Sequence, residues 1–158
     1  MLIDTHAHLN SLGDTRQVIT ECIESNVTEV ISVSTDIPSS IHNIKIANEF
    51  DEVYSAVGIH PCDIETLNLK DLDKIEELSI DSNNKAIGEI GLDFYYSKDN
   101  EKQQSLFFDR QVEIAERNNL PFIIHSRESY KEVAFFLKNR KPTTNFVLHC
   151  FTGNKKDA

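Results

Sequence analysis

Asp4-Thr5-His6-Ala7-His8, five residues from the start, carries two imidazoles two positions apart. The preceding apolar run, Met1-Leu2-Ile3, reads as a buried strand. Side chains along a strand alternate faces, so His6 and His8 leave the same face on adjacent pleats, with Asp4 behind them. Two imidazoles so placed can close on one metal ion, and neutral imidazole is the commonest protein metal ligand. Alone, such a pair more often serves as hydrogen-bonded polar residues at a strand end. Here the later chain repeats the arrangement. His60 ends VYSAVGIHP (53–61), Glu89 lies in KAIGEIGLD (85–93), His125 follows Phe122-Ile123-Ile124, and His149 follows Phe146-Val147-Leu148. One histidine of this kind is ordinarily a core imidazole. Several, together with a carboxylate, supply nitrogen and oxygen ligands for most of two metal sites, and a carboxylate can place one oxygen on each of two cations. Ala86, Gly88 and Gly91 around Glu89 are small enough to admit a metal cluster or substrate close to the backbone.

The elements that must position these groups alternate along the chain. Asp14 caps a helix, with Gln17 as its capping-box partner and Val18, Ile19, Cys22 and Ile23 as its apolar stripe. EVISVST (29–35) is a strand, and Pro38 opens a helix striped by Ile41, Ile44 and Ala47. Residues 53–61 form a third strand; Asn68 caps a helix carrying Leu72, Ile75 and Leu78. Residues 85–93 are a fourth strand, and 99–119 a long helix with Leu106, Phe107, Ile114 and Ala115 as core positions. PFIIHSR (121–127) is a fifth strand. Ser129 and Glu132 form a capping box for a helix with Val133, Phe136 and Leu137. NFVLHCFTG (145–153) is a sixth strand, and Asn154 caps another helix.

Strand and helix alternate without a hairpin signal, which means parallel strands joined by crossover helices. An open doubly wound sheet would gather its site at one switch point. The candidate residues instead end five different strands, as in a TIM (β/α)8 barrel. A complete barrel takes about 250 residues, so these 158 hold about six of eight units. The last residues, Lys155 to Ala158, fall where a helix is due to begin, and the expectation is one hydrolase domain over 1–158, cut at its C-terminal end with strands seven and eight absent.

The composition, 39% hydrophobic and 27% charged, is globular. A net charge of −10 argues against a general nucleic-acid groove, though not against gripping one or two phosphates through metal ions. Cys22, Cys62 and Cys150 show no Cys-x-x-Cys spacing, which disfavours disulfides and zinc knuckles; Cys62 and Cys150 read as packing. With neither a signal-peptide pattern nor a membrane-length apolar run, a cytoplasmic, membrane-free protein is expected.

IDTHAHL (3–9), VGIHP (57–61), IGEIGLDFY (87–95), LPFIIHSR (120–127) and LHCFTG (148–153) together resemble the TatD family of metal-dependent deoxyribonucleases, within the amidohydrolase-like superfamily. The resemblance runs the length of the chain. It implies two divalent ions (Mg, Mn or Zn), with His6 and His8 on the first, Glu89 bridging both, and His125 and His149 on the second. It implies that Glu89 and His60 serve catalysis, His60 as substrate contact or acid/base, and that Asp93 and Arg127 contact substrate or support the ligands. The implied activity is hydrolysis of DNA phosphodiester bonds from the 3′ end by a water that the two metals activate, in a protein that is monomeric when complete. The family pattern adds an aspartate at the end of the eighth strand, which these residues do not include, so an inactive metal-binding fragment is one competing expectation. Another is a different amidohydrolase-like activity, but relatives of that kind commonly bridge their metals with a carboxylated lysine, and the end of the fourth strand has none.

Overall fold

The computed structural model describes residues 1–153; the cap expected at Asn154 and the helix start after it lie outside them. Six strands form one sheet: β1 (Leu2–Ala7), β2 (Val27–Val33), β3 (Val53–Val57), β4 (Asn84–Asp93), β5 (Phe122–Arg127) and β6 (Phe146–Leu148). They lie side by side in chain order, each parallel to the next. Between them run α1 (Thr15–Glu24), α2 (Ile37–Glu49), α3 (Leu72–Ser79), α4 (Glu101–Arg117) and α5 (Tyr130–Arg140). This unreversed order is barrel winding, not the doubly wound order with its switch point. The sheet also curls. Flat, its two edge strands would lie roughly 24 Å apart at about 4.8 Å per strand. Yet the rings of His6 and His149, at the ends of β1 and β6, stack with centroids 3.4 Å apart.

Local chemistry sets the helix starts. The Asp14 carboxylate accepts from the N–H groups of Arg16 and Gln17, while the Gln17 side chain donates to Glu21 rather than completing a box. At α2 the box is Asp36 with Ser39, and Pro38 occupies the first turn. Asn68 caps a short 3-10 turn, Leu69–Asp71, that leads into α3. The expected Ser129 box does not form. The Ser129 hydroxyl donates instead to Leu92 O (2.8 Å), tying α5 to β4, and Glu132 pairs with Lys98.

The main core lies between the sheet and α2 to α5, around Ile59, Ile75, Ile87, Ile90, Phe108, Val112, Ile114 and Ile124. Leu106 faces out at 58% exposure, one residue off the stripe of Phe107, Ile114 and Ala115. Leu2 and Ile3, read as buried, are 60% and 49% exposed because β1 is an edge strand with a neighbour on one side only. Phe146 and Val147 on β6 are exposed for the same reason.

Two glutamines on α4 connect this core to the strand ends. Gln111 accepts from Ile59 N–H (2.7 Å) and donates to Ile59 O (3.0 Å), fixing the backbone just before His60. Gln104, two turns earlier, does the same for Asp93 N–H and O, both at 2.8 Å. Both side chains are buried. Gln111→Leu is expected to leave both Ile59 groups unpaired and to cost about 2–6 kcal/mol, since each buried unsatisfied group costs about 1–3 kcal/mol. A urea denaturation midpoint unchanged from the parent chain would refute this.

Candidate metal centre

His6 and His8 come from the end of β1, where the alternation places both on the inner side of the curl. Glu89 is in the middle of β4, and its N–H donates to Ser34 O (2.8 Å), so the β2 terminus fixes its position. Each Glu89 oxygen faces a different imidazole: Oε1 lies 3.1 Å from His125 Nδ1, and Oε2 lies 3.5 Å from His6 Nε2. His6, His8 and Glu89 offer three ligand atoms within 4.8 Å of one another, and so do His60, Glu89 and His125. Glu89 is common to both groups.

The tautomers follow from the partners. His8 Nδ1 lies 2.8 Å from Val33 O, and a carbonyl only accepts, so Nδ1 carries the proton and Nε2 keeps its lone pair. His60 Nδ1 accepts from Cys62 N–H (3.1 Å), which puts the neutral ring's proton on Nε2. His125 lies between two carboxylates, with Nε2 2.8 Å from Asp93 Oδ2. Burial disfavours its charged form, but the bonds to Glu89 and Asp93 outweigh burial and raise its pKa above 6.5. Burial would push the Glu89 carboxyl up; His125, His6 and the charge of His60 hold it well below the usual range instead. His60 is lowered to about 4 by burial and then by the neighbouring His125. His149 is lowered by burial and by His6.

His6 Nε2 is buried without a hydrogen-bond partner. An orphaned imidazole nitrogen beside a carboxylate and a second bare nitrogen fits a cation better than it fits a dry core. His149 stacks on His6 rather than joining His125, and contributes no atom to either cluster. Asp93 is buried against His125 and orients it. Arg127 is exposed, its guanidinium 3.5 Å from the Tyr95 ring centroid.

Two expectations change. Cys62 does not pack: it is exposed, and its sulfur falls within 4.8 Å of ligand atoms of His60 and Asp93. Partial desolvation and the Asp93 carboxylate push its thiol up to about 11. Cys150 is exposed as well. The small residues of β4 admit neighbouring chain rather than ligand. A Cβ on Gly88 would meet the Ile123 Cβ at 2.8 Å, and one on Gly91 would meet His125 O at 2.1 Å. Sequence reasoning missed Gln104 and Gln111. Their seven-residue spacing puts them on one helix face, but nothing in it says that the face is buried.

The sequence profile of the family described as "TatD related DNase" matches residues 3–158. The chain belongs to that family. Its relatives include YabD of Bacillus subtilis (strain 168), described as an uncharacterized metal-dependent hydrolase and 36% identical over 162 residues, covering 100% of this chain and 64% of YabD. YcfH of Escherichia coli (strain K12) bears the same description and is 29% identical, covering 99% of this chain and 61% of YcfH. The crystal structure of YjjV, a TatD homologue from Escherichia coli K12, superposes with a TM-score of 0.93 at 27% identity, covering 99% of this chain and 62% of that one. The chain thus spans about three-fifths of the length of these TatD relatives. Its six curled strands are the corresponding part of a TIM barrel. Among the described residues no helix is long and apolar enough to cross a membrane.

Proposed function

We propose that this chain carries the metal-holding portion of a hydrolase that cuts DNA phosphodiester bonds from the 3′ end. The observation that carries the reading is Glu89, whose two oxygens each face an imidazole from a different strand, beside the orphaned His6 Nε2. His6, His8 and Glu89 would hold one divalent ion; Glu89 and His125 would supply the ligands for a second. Bound there, divalent cations supply acidified water and neutralise phosphoryl charge. DNA as substrate and the 3′ direction rest on the family resemblance.

The chain's own residues perform the remaining tasks. The Val33 carbonyl and the Asp93 carboxylate fix the ring orientations of His8 and His125. His60 presents Nε2–H and acts as a neutral hydrogen-bond donor to a phosphoryl oxygen. Its pKa of about 4 leaves it uncharged near neutral pH. Arg127, at the end of β5, adds an exposed cation for a phosphate.

The reading is tested by incubating a short DNA duplex with the chain, with Mn2+ and with chelator. Metal-dependent shortening from the 3′ end is expected; a folded chain that neither loads Mn2+ nor shortens the duplex overturns the reading. Metal affinity should also depend on pH. His125 keeps its proton to a higher pH than an ordinary histidine, and that proton must leave before the ring can ligate. Affinity is therefore expected to rise with pH through the range above 6.5 and to fall on acidification. Calorimetric metal titrations at several pH values check this, and a flat profile counts against His125 as a ligand.

A further inference from the structure

Tyr95 and Tyr96 lie just past the end of β4, after Phe94, and were not among the residues singled out by spacing. They are 55% and 77% exposed, with their rings edge to face at 4.9 Å. Tyr95 N–H donates to Asp93 Oδ1 (2.9 Å), so the pair is anchored to the carboxylate that orients His125. Arg127 pairs with Asp93 in the β4–β5 register, two residues beyond His125. Its guanidinium lies 3.5 Å from the Tyr95 centroid and 5.5 Å from that of Tyr96.

The arginines divide sharply. Arg16, Arg110, Arg117 and Arg140 each pair with a carboxylate. Among the described residues Arg127 pairs with none, in a chain whose net charge is −10. Stacking on Tyr95 covers one face of the guanidinium while the side chain stays exposed, and a guanidinium with no carboxylate partner suits a phosphate. Beside it, Tyr96 lines a cleft of about 370 Å3 with Cys62, Asp93, Glu65 and Asp99. Those carboxylates repel a phosphate but not a nucleobase, and every base has a face that stacks on an aromatic ring.

We propose that Tyr96, beside Arg127 braced on Tyr95, forms a nucleotide platform at the rim of the metal centre. Tyr96 stacks on a nucleobase, and Arg127 takes a phosphate flanking the scissile one. The assignment rests on the nuclease reading for its substrate and names the residues that grip it.

The test is binding, in chelator, of a fluorescent DNA oligonucleotide and of an abasic deoxyribose-phosphate chain of equal length, read by anisotropy. The chain is expected to prefer the base-bearing strand by about tenfold, the scale of one base–aromatic stack. Tyr96→Ala removes that preference, Tyr96→Phe keeps it, and Arg127→Gln weakens both ligands alike. A parent chain without the preference, or a Tyr96→Ala variant that retains it, overturns the platform. Cleavage with Mn2+ is scored separately. Tyr96-dependent binding by a chain that neither loads Mn2+ nor cleaves keeps the platform and sinks the nuclease reading; cleavage without the preference does the reverse.

Discussion

Glu89→Gln is expected to abolish metal-dependent hydrolysis and to weaken loading of both candidate clusters together. The substitution preserves shape, so the buried position stays filled and the chain is expected to unfold as cooperatively as before. What it removes is the negative charge that His6, His60 and His125 converge on. An amide oxygen is a weaker ligand than a carboxylate and cannot serve two cations equally. If the two sites contribute about 4 kcal/mol to stabilising the transition state, losing them slows hydrolysis about a thousandfold. Calorimetric titration with Mn2+ or Zn2+ provides an independent readout, because it reports loading whatever the substrate is. Hydrolysis within a few-fold of the parent, or unchanged metal stoichiometry, would refute the shared-ligand assignment. Loss of only one of two binding events would show that Glu89 serves one cluster alone.

Gly91→Ala should be the most destabilising single-methyl change in the chain. Gly91 has φ +138°, a conformation that L side chains rarely adopt, and its missing Cβ would lie 2.1 Å from the carbonyl oxygen of His125. That oxygen is backbone on the adjacent strand, in register with Gly91, so no side-chain rotation relieves the overlap. The strands must separate at the point where Glu89 and Asp93 meet His125. Backbone strain of about 1–3 kcal/mol adds to the lost packing, for a total of about 4 kcal/mol or more, within the range of the most severe point mutants. Gly13 is the internal control. Its φ is +83°, but nothing lies within 4 Å of the added methyl, so Gly13→Ala should cost only the strain. Urea denaturation of the two variants side by side decides the matter: equal losses would show that backbone conformation, not the approach of β5, accounts for Gly91.

The sequence determined the class of architecture and the chemistry-bearing residues, because both are written in short-range periodicity. Alternating strand and helix signals implied parallel winding, and histidines at the ends of apolar runs marked the strand ends that face the site. The six strands lie in chain order as that pattern requires. Element ends were less legible. Ser129 bonds across to Leu92 instead of capping α5, since a hydroxyl takes whichever partner the fold brings close. Only the tertiary structure decided which side chains meet. The curl of the sheet brings His149 against His6, although β1 and β6 are its two edges, and no local pattern specifies how far a sheet curls. Packing between neighbouring elements places Asp93 behind His125 and two buried glutamines of α4 against the backbone of Ile59 and Asp93. It also leaves Arg127 stacked on Tyr95 without a carboxylate. Spacing fixes the face on which a residue leaves its own element; what it meets there depends on the other elements packed against that face.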